Sequence, residues 1–184
     1  MPEELRTERL ILRALRPSDA GPVALYAGDP RVARMTTSIP HPYPPGAAEL
    51  FVETSTAGRG AEIVWAIDAT PIEAAEFVGV IGFRPETSEI GYWIGPPFWN
   101  TGYVSEALEA VIDHVFTSVQ ADKLVEQVFA DNPASAHVLE KWGFRSAGTI
   151  ETYSVARGEM VETRLLQLDR ADWKARLEAA TATG

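Results

Sequence analysis

The feature that most constrains the fold is a run of apolar residues between positions 107 and 119. Its members recur at steps of one and three, a spacing that places side chains on one face of an α-helix. They are Ala107, Leu108, Val111, Ile112, Val115, Phe116 and Val119. A helix with one broad apolar stripe needs an apolar surface to cover. The run therefore predicts a long helix packed on a sheet.

Strand-like segments surround this helix in the chain. Three precede it and are separated by turn-prone or polar residues, as in an antiparallel meander: Glu62–Asp68, Phe77–Phe83 and Glu89–Gly95. After it come a strand, a short helix that Gly143 can terminate, and a final strand pair: Lys123–Phe129, Ala134–Trp142, Phe144–Ser154 and Val161–Leu168. The order of strands, helix, strand, helix and strands predicts a mixed α/β sheet.

The first third of the chain predicts one more strand and two helical regions. Arg9–Leu15 mixes apolar residues and arginines as a strand does. Residues 19–35 indicate a helical stretch with an interruption at Gly28–Pro30. Pro45–Thr56 indicates a short helix with Leu50 and Phe51 on its apolar face.

Length and composition fit one globular protein. The 184 residues suffice for a single domain over 1–184, and 46% hydrophobic with 23% charged residues is ordinary for a folded chain. Cysteine is absent, which excludes disulfides, thiolate metal sites and a cysteine nucleophile. The start lacks a basic region followed by an apolar one, and no apolar run could span a bilayer. We therefore expect a cytoplasmic protein without membrane contact.

The net charge of the chain limits the classes of molecule that it is expected to bind. The formal net charge is -10 and the pI is near 4.8, which disfavours nucleic-acid binding through general electrostatics. An anionic cofactor would have to bind through local backbone donors. A cationic or neutral amine would be tolerated more easily than an acidic substrate.

A strand, a short loop and the start of the long helix follow one another in Glu89–Ala107. Such a loop aims unpaired backbone N–H groups and the positive helix end at one spot, which is what a pyrophosphate requires. The alternative is a glycine, Gly102, that serves backbone geometry alone.

Four segments in the same order resemble the branch of the GNAT superfamily that acetylates ribosomal-protein N-termini, the RimJ/RimL type. Thr7–Arg13 resembles its first strand and Glu89–Ile94 its fourth strand. Trp99–Ala107 resembles its acyl-CoA pyrophosphate loop, and Asp131–Ser135 with Val138–Phe144 resembles the helix motif that follows.

The resemblance implies a fold, a donor and a binding site. The fold is a GNAT fold with a central, mostly antiparallel, twisted sheet of about seven strands, splayed between strands 4 and 5 and flanked by helices. The acyl donor is acetyl-CoA. The residues expected to bind it are Trp93, Ile94, Gly95, Trp99, Asn100, Thr101, Gly102, Tyr103, Val104, Ser105, Asn132 and Ser135.

The chain departs from the superfamily pattern at four positions. Trp99 and Val104 stand where the general loop begins with Gln or Arg and ends with Gly or Ala, although Trp99 is familiar in the Rim-type branch. Asn100 replaces a usual glycine. Leu139 replaces a tyrosine proposed to protonate the leaving thiolate, so another acid is needed.

Acyl transfer to an amine needs a base, oxyanion stabilisation and a proton for the CoA thiolate. By resemblance, Glu89 is the candidate base, with a polar residue at a strand start as the alternative. Ser135 is the candidate to protonate the thiolate and Asn132 to contact the pantetheine arm, with helix capping as the alternative for both. Backbone N–H groups near Ile94 are expected to face the thioester oxygen. The bulk of Trp93, Phe98 and Tyr92 near the thioester is expected to restrict the acyl group to acetyl.

Other titratable residues have weaker claims. Glu151 and His41 are rival bases, whereas Glu106 at the start of the long helix is expected to be structural. His114 and His137 lack partners at metal-ligand spacing, so no metal is expected.

The sequence therefore predicts an N-acetyltransferase that forms a ternary complex with a small-molecule amine or a peptide N-terminus. It leaves open whether the protein is a monomer or a homodimer. The alternative is a non-catalytic acyl-CoA-binding or regulatory domain of the same fold.

Overall fold

The computed structural model describes residues 2–182, which form one mixed sheet with helices on both faces. The eight strands are β1 (Leu5–Arg6), β2 (Ile11–Arg13), β3 (Ile63–Asp68), β4 (Gly79–Arg84), β5 (Glu89–Ile94), β6 (Lys123–Phe129), β7 (Arg145–Ser154) and β8 (Glu159–Asp169). The six helices are α1 (Ala20–Ala27), α2 (Pro30–Ala33), α3 (Ala47–Thr56), α4 (Tyr103–His114), α5 (Pro133–Lys141) and α6 (Arg170–Ala182). None of the helices within residues 2–182 is long and apolar enough to cross a membrane.

The sheet has the order β1-β2-β3-β4-β5-β6-β8-β7. Neighbouring strands run antiparallel except β5 and β6, which are parallel. Only Glu89 and Val125 pair across β5 and β6, whereas β4 and β5 pair over six positions from Gly79 opposite Ile94 to Arg84 opposite Glu89. Beyond that first pair the two parallel strands diverge, and a wedge opens between them.

Two hydrophobic clusters cover the two faces of the sheet. The apolar stripe of α4, from Ala107 to Phe116, is buried in the larger cluster with Ile90, Leu124 and Val128. The smaller cluster joins α1 and α3 to the opposite face through Val64, Val80 and neighbouring residues. Side chains along β5 alternate accordingly, since Ile90 belongs to the first cluster and Trp93 packs against the second.

A buried ion-pair network ties the start of the chain to the middle of the sheet. The Arg13 guanidinium on β2 donates to Asp68 on β3 at 2.8 Å and to both carboxylate oxygens of Asp19 at 2.8 and 3.0 Å. All three side chains are almost inaccessible to solvent. The network fixes the end of the turn that leads into α1.

Most predicted elements are confirmed, including the strand Lys123–Phe129 and a helix end at Gly143, whose φ is 99°. The sheet has eight strands where about seven were predicted. The predicted first strand Arg9–Leu15 is the shorter β2, and a bend at residues 8–9 folds the chain back so that β1, which was not predicted, pairs with it. The splay lies between β5 and β6, which are strands 4 and 5 when the two-residue β1 is left out.

Three details of the sequence-based description were wrong. Leu50 does not face the core, since it is 64% exposed and α3 buries Ala48 and Val52 instead. Val119 is 39% exposed because α4 continues into a wider π-helical turn after His114, which shifts the stripe. The C-terminal α6 was not predicted at all.

Candidate active site

Two cavities meet in the wedge between β5 and β6. The loop cavity, of about 940 Å³, lies along residues 99–105 and the start of α5. The acidic cavity, of about 320 Å³, lies on the other side of the wedge and contains Glu62, Arg84 and Glu89 in its wall. Both walls contain Met35, Thr36, Tyr92, Trp93, Glu126 and Gln127. Those shared residues mark the place where molecules bound in the two cavities would touch.

The loop at residues 99–102 turns the start of α4 toward the loop cavity. Asn100 and Gly102 both adopt left-handed backbone conformations, with φ of 61° and 81°, and asparagine is among the residues that tolerate this region best. The first intrahelical bond is donated by the Glu106 N–H to Gly102 O. The N–H groups of Val104 and Ser105 precede that bond and have no acceptor within the helix. They provide an anion site with the positive end of the helix dipole behind it.

Glu106 fixes the position of this loop through hydrogen bonds with Thr7 and Arg9. Its carboxylate accepts hydrogen bonds from the Thr7 hydroxyl at 2.6 Å, the Arg9 N–H at 2.8 Å and the Arg9 Nε at 2.7 Å. The same Arg9 donates through Nη1 to Thr101 O at 2.9 Å. Burial alone would raise the pKa of Glu106, but these donors outweigh it and lower the pKa. The expectation that Glu106 is structural agrees with these contacts.

The residues predicted to bind the donor lie together with one exception. Eleven of them form part of the loop-cavity wall: Trp93, Ile94, Trp99, Asn100, Thr101, Gly102, Tyr103, Val104, Ser105, Asn132 and Ser135. Gly95 lies instead against the ring of Tyr26, where a Cβ atom would approach the ring to 2.8 Å. The Ser105 hydroxyl is already engaged, because it accepts from Lys141 Nζ and Trp142 Nε1 on α5. Ser105 can therefore offer its backbone N–H to an anion.

The end of β5 presents backbone groups to the wedge. The Gly95 N–H donates to Val78 O, on the side of β4. Because successive N–H groups of a strand point to opposite edges, the Ile94 N–H points toward the wedge. The Trp99 indole donates to Ile94 O at 3.0 Å and fixes this strand end against the loop.

Asn132, Ser135 and Tyr92 form a small polar group at the junction. The Asn132 side chain caps α5 by accepting from the Ser135 N–H at 3.3 Å. The Ser135 hydroxyl donates to the Tyr92 hydroxyl oxygen at 2.9 Å. Burial, reinforced by the nearby Glu126 carboxyl, raises the pKa of Tyr92, so its hydroxyl stays protonated at neutral pH. The Asn132 side chain therefore caps the helix, whereas the Ser135 hydroxyl does not cap it and is bonded to Tyr92.

The wall of the acidic cavity contains three carboxyl groups, those of Glu62, Glu89 and Glu126, and one guanidinium, that of Arg84. Glu89 accepts from Arg84 Nη1 and from Gln127 Nε2, each at 3.2 Å. Glu62 lies 3.6 Å from Arg84. Burial raises the pKa of Glu62, an effect that Arg84 opposes and Glu89 reinforces. A cavity of this composition attracts cations.

The other titratable candidates lie elsewhere. His41 and Glu151 are exposed and do not belong to the walls of either cavity. His114 packs edge-on against Trp65 in the protein interior. Within residues 2–182, no group of three or more His, Cys, Asp or Glu side chains is arranged to hold a metal ion.

Comparison with known sequences gives the family. The sequence model of the acetyltransferase (GNAT) domain matches residues 9–145, which span the sheet through β6, both walls of the wedge and the start of β7. The chain belongs to the GNAT acetyltransferase family. The predicted family and fold are thereby confirmed.

Two relatives by sequence and one solved structure of the same fold illustrate what this GNAT chain is similar to. The uncharacterized N-acetyltransferase p20 of Bacillus licheniformis is 27% identical over 93% of this chain and 98% of its own length. The ribosomal protein uS5-alanine N-acetyltransferase of Escherichia coli is 24% identical, with 92% of each chain covered. The spermidine N-acetyltransferase of Vibrio cholerae, solved with CoA and spermine, superposes with a TM-score of 0.75 at 17% identity and covers 91% of this chain and 99% of its own.

These comparisons confirm the predicted likeness to ribosomal-protein acetyltransferases at modest identity. They also place the GNAT chain among proteins named N-acetyltransferases, as the sequence predicted.

Sequence reasoning missed several polar residues of the site, among them Glu62, Arg84 and Gln127 in the acidic cavity. Arg31 and Arg34 belong to the wall of the loop cavity, and Arg31 stacks over the Trp99 ring at 5.5 Å. Their position depends on how α2 packs beside the loop, which no local pattern reveals. The Tyr92 hydroxyl was treated only as bulk, and Glu126 was not singled out. The available signal for Glu126 was a glutamate on the same face of the strand as the apolar Leu124 and Val128, where a charge is unusual.

Proposed function

We propose that this protein transfers the acetyl group of acetyl-CoA to a primary amine by direct attack in a ternary complex. The observation that carries the proposal is the junction of two chemically different cavities in the wedge. One has anion-binding backbone groups and the other has an excess of carboxyl groups. A donor and an acceptor that enter from opposite sides would meet at Tyr92 and Trp93.

The loop cavity suits acetyl-CoA. The N–H groups of Val104 and Ser105 at the start of α4 are placed to bind the pyrophosphate. Arg34 adds positive charge to the cavity wall of a chain whose overall charge is -10, whereas the Arg31 guanidinium is paired with Asp29. The Vibrio cholerae relative solved with CoA supports the same donor here.

The pantetheine arm and the acetyl group would lie along the end of β5. The Ile94 N–H is assigned the hydrogen bond to the thioester oxygen. Ser135, with its hydroxyl bonded to Tyr92, is assigned the protonation of the departing thiolate. This pair supplies the acid that Leu139 cannot supply.

The acidic cavity suits a cationic acceptor. Glu89, the candidate base of the sequence analysis, is assigned the attraction of the incoming ammonium group. Its hydrogen bonds from Arg84 and Gln127 hold its carboxylate in place. The acceptor belongs to the classes named for the relatives, either a protein N-terminus or a small amine.

The proposal includes a single domain over residues 1–184 and a cytoplasmic location, which remain predictions. So does the monomeric or homodimeric state.

The test is thiol release from acetyl-CoA by the purified protein across a panel of small amines and peptides with free N-termini. We expect turnover with at least one acceptor, a lower kcat in Ser135→Ala and a raised KM for the amine in Glu89→Gln. Glu178→Gln, on the exposed end of α6, is the control and is expected to match the wild type. Tight acetyl-CoA binding without turnover on any acceptor would reject catalysis in favour of a binding domain.

A further inference from the structure

One of the two carboxyl oxygens of Glu126 has no hydrogen-bond partner among the described residues. Among residues 2–182, its Oε2 atom is the buried side-chain oxygen or nitrogen that forms no hydrogen bond. The residue as a whole is only half-buried, and it belongs to the walls of both cavities. An unpaired carboxyl group at such a position destabilises the protein. Its presence therefore calls for a functional explanation.

The location of Glu126 follows from its place in β6. Leu124 and Val128, two residues to either side, are buried in the cluster beneath α4, so Glu126 points to that same side. The β8 residue opposite it is Leu166, which offers no polar side chain. On the β5 side the strands have already separated after the pair Glu89–Val125. The carboxyl group therefore lies within the wedge, between the two cavities.

The charges around Glu126 come from three elements. Glu62 before β3, Arg84 on β4 and Glu89 on β5 act on it electrostatically, and the neutral Tyr92 hydroxyl lies nearby. Met35 and Thr36, from the loop after α2, are uncharged. Burial raises the pKa of Glu126 well above that of an ordinary glutamate, and the two glutamates add to this effect while Arg84 opposes it.

We propose that Glu126 is the catalytic base that accepts the first proton from the acceptor ammonium at the junction of the two cavities. The inference rests on the proposed acetyl transfer. Glu89 is less suited to this step, because it belongs only to the acidic cavity and its two oxygens already accept from Arg84 and Gln127. Glu126 belongs to both cavities and has a free oxygen. A base with a raised pKa is also better matched to an amine than an ordinary carboxylate.

The proton balance of the reaction is complete with these groups. The ammonium loses one proton to the Glu126 carboxylate, and the neutral amine attacks the thioester carbon. When the C–S bond breaks, the Ser135 hydroxyl gives its proton to the thiolate, and the second proton of the nitrogen replaces it on Ser135. One proton remains in excess and leaves Glu126 for solvent through the acidic cavity. The products are the amide and free CoA thiol.

The test compares the pH dependence of kcat in the wild type, Glu126→Gln and Glu126→Asp, with an acceptor that the wild type acetylates. Wild-type kcat is expected to fall at acidic pH as Glu126 becomes protonated, with a midpoint above the pKa range of ordinary glutamates. Glu126→Gln is expected to lower kcat by about 10²- to 10⁴-fold and to abolish the decrease of kcat at acidic pH. Glu126→Asp keeps a carboxylate, so its kcat should be lower than that of the wild type and should still decrease at acidic pH.

Controls separate this role from folding and from donor binding. Glu86→Gln, in the exposed turn between β4 and β5, should match the wild type. The Kd of acetyl-CoA and the Tm should not worsen in Glu126→Gln, because the amide replaces an unpaired acid of the same shape. A wild-type kcat and pH profile in Glu126→Gln, or an effect confined to KM, would reject Glu126 as the base while the transfer reaction stands. No turnover by the wild type on any amine would reject the transfer reaction and this role together.

Discussion

At the scale of single residues, hydrogen-bond partners decide what a buried carboxyl group does. Burial would raise the pKa of Asp68, but hydrogen bonds from Thr70 and Arg13 outweigh it and lower the pKa. Its contribution to stability is therefore present above the ordinary aspartate pKa and is lost as pH falls through the lowered value. Glu126, without such donors, has a raised pKa instead. The first group stabilises the fold at neutral pH, and the second remains available for proton transfer.

The network of Arg13 with two aspartates predicts a large effect of a single truncation. Asp19→Ala removes two hydrogen bonds to Arg13 and one to the Arg16 N–H, and it leaves the guanidinium short of acceptors in a site that water barely reaches. We expect the free energy of unfolding to fall by about 3–5 kcal/mol, measured by urea denaturation at neutral pH.

The matched control for that substitution is an exposed pair. Asp122 accepts from Arg170 at 2.6 Å, yet its side chain is 90% exposed. Asp122→Ala is expected to cost no more than about 1 kcal/mol. Equal losses in the two variants would show that burial of the Arg13 network adds nothing to its contribution.

At the scale of elements, the loop before α4 depends on the backbone of Gly102. Its φ of 81° lies in the left-handed region, and an added Cβ would lie 3.2 Å from Arg9 Nη2. Gly102→Ala should therefore strain the loop by about 1–2 kcal/mol and displace the N–H groups of Val104 and Ser105. We expect the Kd of acetyl-CoA, measured by calorimetry, to rise by about tenfold or more, since each 1.4 kcal/mol is a factor of ten.

Gly58 offers a control with the same backbone requirement. Its φ is 62°, an added Cβ would meet nothing within 4 Å, and it does not belong to either cavity wall. Gly58→Ala should lower stability by a similar amount and leave the Kd of acetyl-CoA unchanged. If both variants bound the donor as the wild type does, the loop would not be the pyrophosphate site.

Elements with a strong local pattern were predictable, and those fixed by distant contacts were not. Strand β6 was predicted to the residue because apolar side chains recur along it. Helix α6 was missed because it buries little besides Trp173, so its sequence has no apolar stripe to detect. The loop residues 99–105 were found through a resemblance. Glu126, Arg31 and the hydroxyl of Tyr92 become part of the site only through the splay of the sheet and the packing of α2, which no short segment encodes.

At the scale of the whole molecule, the charge distribution separates donor from acceptor. The chain has a formal charge of -10, and three carboxyl groups face one guanidinium in the acidic cavity. Near the donor, Arg34 adds positive charge to the wall of the loop cavity instead. The field of the protein should therefore attract a cationic acceptor, while the anionic donor relies on local contacts.

This distribution predicts that salt weakens binding of the acceptor. Between about 0.01 M and about 1 M salt, the Debye length falls from about 30 Å to about 3 Å, which screens the attraction between the acidic cavity and an ammonium ion. The attraction of one unit charge pair near 4 Å in water is about 1 kcal/mol, so its loss should raise the KM of a cationic amine on the order of five- to tenfold. The measurement is initial rate against amine concentration at a series of NaCl concentrations, with acetyl-CoA saturating. Because the N–H groups that bind the donor act at contact distance, kcat should change little over the same series. A KM that is independent of salt, or that falls as salt rises, would mean that the acceptor does not enter through the acidic cavity.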